Sequence, residues 1–116
     1  MIKIDNVIIE FIKIIGDKTR LEILSCLEDG QEHSVTEFQD IMKKNQSTIS
    51  QQLKVLFNAN LVDVRNEGRQ RLYKIRDKGI YKIISLINTY LININKKKME
   101  EQMQDIIDKD ILDALL

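Results

Sequence analysis

Between Phe57 and Val62 the spacing of apolar residues changes period, and that change leaves few architectures open. Before it, Ile49, Leu53, Leu56 and Phe57 recur at the spacing of one helix face. After it, Val62 and Val64 alternate with polar residues. Asn66-Glu67-Gly68 then supplies a turn, and Arg69, Arg71, Tyr73 and Ile75 alternate back. This is the pattern of a β-hairpin with a charged tip.

Upstream the period is helical throughout. Residues 2 to 15 carry Ile4, Val7, Ile8, Phe11, Ile12 and Ile15 on one stripe, with Ile9 and Ile14 off it, and Gly16 breaks the pattern. Asp17 is placed to cap a second helix holding Leu21, Leu24 and Leu27, with Gly30 as its stop. A polar link, QEHS, leads into a short stripe of Val35, Phe38, Ile41 and Met42; Ser47 reads as the cap of the helix that follows. Downstream, Ile80, Ile83, Ile84, Ile87, Leu91 and Ile94 make one more apolar face. The tail from Met99 repeats at Met103, Ile106, Ile107, Ile111, Ala114 and Leu115. Its stripe shifts by one position near Lys96-Lys97-Lys98, which favours a short separate final helix over one long bent helix. No proline and only four glycines occur in 116 residues, as short connections between helices require. The expected fold is mostly α with a small β-hairpin (α+β), about five core helices plus a C-terminal helix. The expected division is a domain over residues 1–95 and an amphipathic helix over 96–116.

Two short helices in succession, the second with a polar face, form a helix-turn-helix arrangement. In the segment NQSTISQQLKVL, Ser47, Gln51 and Lys54 point away from the apolar sector, flanked by Thr48 and Ser50. Gln pairs bidentately with adenine, and hydroxyls donate to or accept from several bases, so Ser47, Thr48, Ser50 and Gln51 are candidate base readers, with Gln46 and Gln52 at the margin. Lys43, Lys44 and Lys54 would anchor phosphates, and Arg69 at the hairpin tip, supported by Arg65 and Arg71, would reach a minor groove or the adjacent backbone.

Charge supports a nucleic-acid partner once its distribution is considered. The formal total is +0, yet residues 43 to 76 hold eight Lys/Arg against only Asp63 and Glu67, while residues 1 to 42 are acidic. A phosphate backbone responds to the local face. The single cysteine, Cys26, excludes an internal disulfide and reads as a small core residue, and His33 reads as a surface-loop residue. No apolar run approaches the ~20 residues of a membrane span, so a cytoplasmic protein with no membrane partner is expected. Ser47, Thr48 and Ser50 have no evident base to activate them, and no glycine-rich phosphate loop occurs, which argues against an enzyme.

Three segments together resemble one family. IIGDKTRLEILSCL resembles the opening of the second helix of ArsR/SmtB-type winged-helix repressors, QSTISQQLKVLFNANLV their recognition helix, and EGRQRLYKI their wing. They occur in the family's order and cover about residues 14 to 92. The resemblance implies a winged helix-turn-helix and a homodimer paired through its first and last core helices. Such a dimer represses transcription from an inverted-repeat operator, with recognition helices ~34 Å apart or slightly more. Ile4, Ile8, Phe11, Ile12, Ile83, Ile84, Ile87, Tyr90, Leu91 and Ile94 are the residues this would place at the dimer interface.

The chain departs from the family where many members sense metals. Ser34 and Thr36 stand at the two cysteine positions of the third-helix site, and hydroxyls are poor ligands for thiophilic ions. Residues 79 to 95 contain no His, Cys, Asp or Glu for the site on the last core helix. Gln52 replaces the family's recognition-helix His, and Asn60 its glycine before the wing. No metal and no cofactor is expected, and the sequence names no effector. The alternative reading is a winged-helix interaction module that docks another protein through its C-terminal stripe.

Overall fold

Asp5 opens the first helix: its carboxylate accepts from the Val7 and Ile8 backbone N–H groups, and α1 runs Asn6–Ile15. The computed structural model describes residues 3–116, so Ile2, the first residue of the expected 2–15 helix, lies outside it. Ile4 precedes the helix and is exposed. Asp17 caps α2, Lys18–Cys26, as expected, and a 3-10 turn over Leu27–Asp29 ends at Gly30 in the left-handed region (φ 75°).

The link before the third helix is more ordered than its polar composition suggested. His33–Ser34 form a two-residue strand, β1, and Ser34 caps α3, Val35–Met42, in a reciprocal capping box with Glu37. Two residues are too few for alternation to show in a sequence. Helix α4 covers Gln46–Asn58, and its cap is Asn45, which accepts from the Thr48 N–H at 2.8 Å. The expected cap, Ser47, lies inside the helix instead.

The hairpin pairs β2, Val62–Glu67, with β3, Gln70–Ile75, in antiparallel register. Because Glu67 pairs with Gln70, the loop is Gly68-Arg69, two residues later than Asn66 would begin it. Gly68 (φ 60°) occupies the first loop position, where a two-residue hairpin demands a positive φ. β1 adds to the other edge of β3, giving the order β1-β3-β2.

The chain divides into a first compact unit ending at Ser85 and a second from Leu86 to Leu116. The first unit has one core: Ile23, Leu24 and Leu27, Phe38, the α4 row Ile49, Leu53 and Leu56, then Leu61, Val62, Tyr73 and Ile84. Each fully buried aliphatic residue here contributes ~1.5–3 kcal/mol relative to exposure. Phe57, expected on the inward face, is 46% exposed. Ile84, expected at a subunit face, is fully buried among its own chain's side chains. Phe11 also packs partly against this core.

Helix α5 runs Lys78–Leu115 without interruption, 38 residues, its start capped by Asp77 through the Ile80 N–H. The expected break near Lys96 does not occur. A shift of the apolar stripe changes which face is greasy, not the helical backbone, and no glycine or proline lies between Gly79 and the C-terminus to end it. No helix among the described residues is long and apolar enough to cross a membrane.

Candidate nucleic-acid interface

Burial of Ile49, Leu53 and Leu56 sets the roll of α4 about its axis, and that roll decides what its other side chains meet. Gln46, Ser47, Ser50, Gln51 and Lys54 are exposed, and Thr48 is half-buried. Gln46, Ser50 and Lys54, spaced four apart, line one wall of an open groove of about 810 Å³. Arg69, Gln70 and Arg71 of the hairpin line the groove as well, as do Thr36 and Gln39 of α3. Ser47 and Gln51 do not line this groove.

Two candidates are engaged elsewhere. The Gln52 amide oxygen accepts from Arg20 Nη1 at 2.8 Å, while Arg20 Nε donates to the Ile14 carbonyl at 2.7 Å. Arg65 forms a forked pair with Glu32, both bonds 3.0 Å, and a further bond to Glu67 at 3.1 Å. These partners raise the Arg65 guanidinium above its ordinary pKa, the Glu32 hydrogen bond foremost, and the same bond lowers the Glu32 carboxyl. Lys43, Lys44, Lys54, Arg69 and Arg71 form no salt bridge among the described residues. Their charge is open to an anion.

Gln39 and Gln70 were missed by sequence reasoning. The signal for Gln70 was its place beside the hairpin loop between two arginines. Gln39 carried none, because its approach to α4 depends on how α3 and α4 cross.

His33 is not the loop residue expected. Its side chain is 14% exposed, its Nε2 lies 2.7 Å from Asp29 Oδ2, and its Nδ1 lies 2.7 Å from Glu37 Oε2. Two carboxylate partners are satisfied together only by the doubly protonated ring. Burial opposes that charge, but the Asp29 and Glu37 hydrogen bonds outweigh it and raise the His33 pKa. Cys26 is half-buried against the core, its thiol pushed up by burial and then by Glu22 and Asp29.

The residues at the family's third-helix metal site do not fit a thiophilic ion. The Ser34 hydroxyl is occupied in capping α3, accepting from the Glu37 N–H at 3.2 Å, and Thr36 offers only another hydroxyl. Among the described residues no group of three or more His, Cys, Asp or Glu is placed to hold a metal ion.

A short helix, a polar-faced second helix and a basic hairpin packed on one core define a winged helix-turn-helix DNA-binding protein. The profile of the bacterial regulatory protein, arsR family, matches residues 17–64. An HTH-type transcriptional regulator of Methanocaldococcus jannaschii, itself uncharacterized, is 39% identical over 79 residues, which is 68% of this chain and 89% of that one. The arsenical resistance operon repressor of Bacillus subtilis is 31% identical over 73 residues, 63% of this chain and 70% of its own. Among solved structures, reduced HlyU from Vibrio cholerae superposes with a TM-score of 0.68 at 28% identity, covering 72% of this chain and 87% of that one. The homodimeric winged helix-turn-helix domain of a possible ArsR-family regulator from Mycobacterium bovis shares the fold, with a TM-score of 0.66 at 22% identity over 78% of this chain and 90% of that one. The chain belongs to the ArsR family of DNA-binding transcriptional regulators.

Proposed function

We propose that the chain is a homodimeric repressor of an inverted-repeat duplex site and does not sense metal at the family's usual positions. The observation that carries this reading is the groove lined by Gln46, Ser50 and Lys54 of α4 together with Arg69 and Arg71 of the hairpin, with Ser47 and Gln51 exposed on the same helix outside it. Ser47, Thr48, Ser50 and Gln51 read base edges. Lys43, Lys44, Lys54, Arg69 and Arg71 hold the backbone. Gln46 sits at the margin, while Gln52 and Arg65 position their elements through Arg20 and Glu32. Pairing of subunits through α1 and the Ile83–Ile94 stretch presents the reading helix twice. Exposed Ile12, Ile83, Tyr90 and Leu91 support that pairing, as does the homodimeric relative from Mycobacterium bovis, and the repressor name of the Bacillus subtilis relative supports repression.

Selection of bound duplexes from a random pool tests the reading. Wild type should return an inverted repeat, unchanged by chelator. Gln51→Ala should lose preference at one position of each half-site, and Arg69→Ala should keep the preference while binding all sequences more weakly. Identical base preferences for wild type and Gln51→Ala would remove Gln51 from base reading. The competing module that docks a protein through α5 predicts no enrichment of any sequence.

A further inference from the structure

His33 is the only histidine in the chain, and its largely buried ring ties separate elements together. Its Nε2 lies 2.7 Å from Asp29 in the turn after α2, and its Nδ1 lies 2.7 Å from Glu37 in the first turn of α3. The ring centroid stands 6.0 Å from that of the buried Phe38. The His33 backbone belongs to β1, which pairs with β3, His33 opposite Tyr73 and Ser34 opposite Leu72. Glu32, one residue earlier, holds β2 through its forked pair with Arg65. Residues 32 and 33 therefore carry both strands of the hairpin, and the imidazole bolts them to the helices. The hairpin root also borders the groove, since Ser34 and Tyr73 line it together with Gln46, Ser50 and Lys54.

We propose that His33 is a positioning residue for duplex binding: its doubly protonated ring fixes the hairpin against α4, so that binding DNA is coupled to keeping the ring's second proton. A neutral imidazole has one N–H and one lone pair. Between two carboxylates it donates to only one, and its lone pair then meets an acceptor at 2.7 Å, so one arm of the clamp opens. Asp29 and Glu37 are the charged groups that act on the ring. On the strand side it has Tyr73 opposite, and the adjacent Glu32 answers to Arg65 and Lys74. Opening an arm frees the link that carries β2 and β3, and with it the far wall of the groove, while α4 stays seated on Ile49, Leu53 and Leu56.

The coupling rests on the DNA-binding reading and adds to it a regulator, the proton, that acts away from the contact surface. It is reciprocal: if the clamped form binds duplex better, bound duplex must hold the proton more tightly by the same factor.

Retardation of a duplex carrying the selected inverted repeat, at fixed salt, tests the coupling. Wild-type affinity should fall about fivefold or more between about pH 6 and about pH 9, on either side of the ordinary histidine value. His33→Gln should bind at the weaker level across that range. Asp29→Asn sets an amide N–H donor against the lone pair of the neutral ring, so its affinity should stay at the tighter level throughout, a rescue that lost packing alone does not give. Because the chain has one imidazole, its proton resonances report its pKa directly, and added duplex should raise it. A fall with pH undiminished in His33→Gln, an Asp29→Asn profile that falls like the wild type's, or an imidazole pKa unmoved by duplex would overturn the proposal. If wild type retards no duplex at either pH, the DNA reading fails and the coupling with it. Sequence-selective binding with one shared pH profile for wild type and His33→Gln sinks the coupling alone.

Discussion

Lys43 and Asn60 hold backbone conformations that glycine adopts without strain, at φ 55° and φ 63°. Asn60 stands where the family has glycine, and its short amide tolerates the left-handed region while accepting from Arg76 Nη1 at 2.7 Å. Lys43 ends α3 and has no such compensation, so Lys43→Gly should raise stability by about 0.5–1 kcal/mol in thermal or urea denaturation. The same change removes a phosphate-facing cation, so duplex affinity should fall as stability rises. His33 makes an opposite kind of claim, on pH. Its raised pKa means that its clamp is complete below the ordinary histidine value of ~6.5 and is lost as pH climbs through the higher folded-state value. Glu37 is held low chiefly by the His33 hydrogen bond. Asp29 is pushed up by burial but brought lower by the Gln31 N–H and His33, so both fade only in acid. His33→Gln should therefore cost about 1 kcal/mol near pH 6 and little near pH 9, with the exposed carboxylates limiting the size. A cost independent of pH would refute the charged clamp.

Helix starts show how far a sequence is legible at the level of elements. Asp17 could be read as a cap because a glycine precedes it and the apolar period resumes after it. At α4 two cap-capable residues stand close together, Asn45 and Ser47, and local sequence ranks them almost equally. Packing chose: seating Ile49, Leu53 and Leu56 in the core lets the helix extend back to Gln46. Asn45→Ala should lower the melting free energy by about 1 kcal/mol, and Ser47→Ala should leave it almost unchanged. The hairpin was readable because alternation over six-residue strands is a strong signal, and its loop was misplaced because Asn66, Glu67 and Gly68 all suit a turn. β1 was invisible, since its two residues exist as a strand only by pairing with Tyr73 and Leu72.

On the scale of the whole molecule, zero net charge conceals a basic region built from α4, its preceding turn and the hairpin. The five cations proposed to hold the backbone, Lys43, Lys44, Lys54, Arg69 and Arg71, form no salt bridge among the described residues and should give steep salt sensitivity: log affinity falling by ~0.9 per log salt for each phosphate neutralised. A slope near zero between dilute and physiological salt would show that this face does not lie on a duplex. Much of the site was legible because exposed polar residues on a helix with a known apolar face can be placed by period alone. What could not be read was which cations remain open. Arg65 sits among the hairpin's arginines in sequence, yet Glu32, 33 residues away, claims it. The Ile84 assignment failed for a related reason: an apolar stripe does not say whether its cover belongs to the same chain.

Arg20 links three helices with one planar group. From α2 it grips the last turn of α1 at the Ile14 carbonyl and the middle of α4 at Gln52. A lysine there has no rigid fork to span both. A strut of this kind makes the reading helix answerable to the first: whatever clamps α1 in place also steadies the angle at which α4 presents itself, and in the proposed dimer a subunit parted from its neighbour would lose that brace as well.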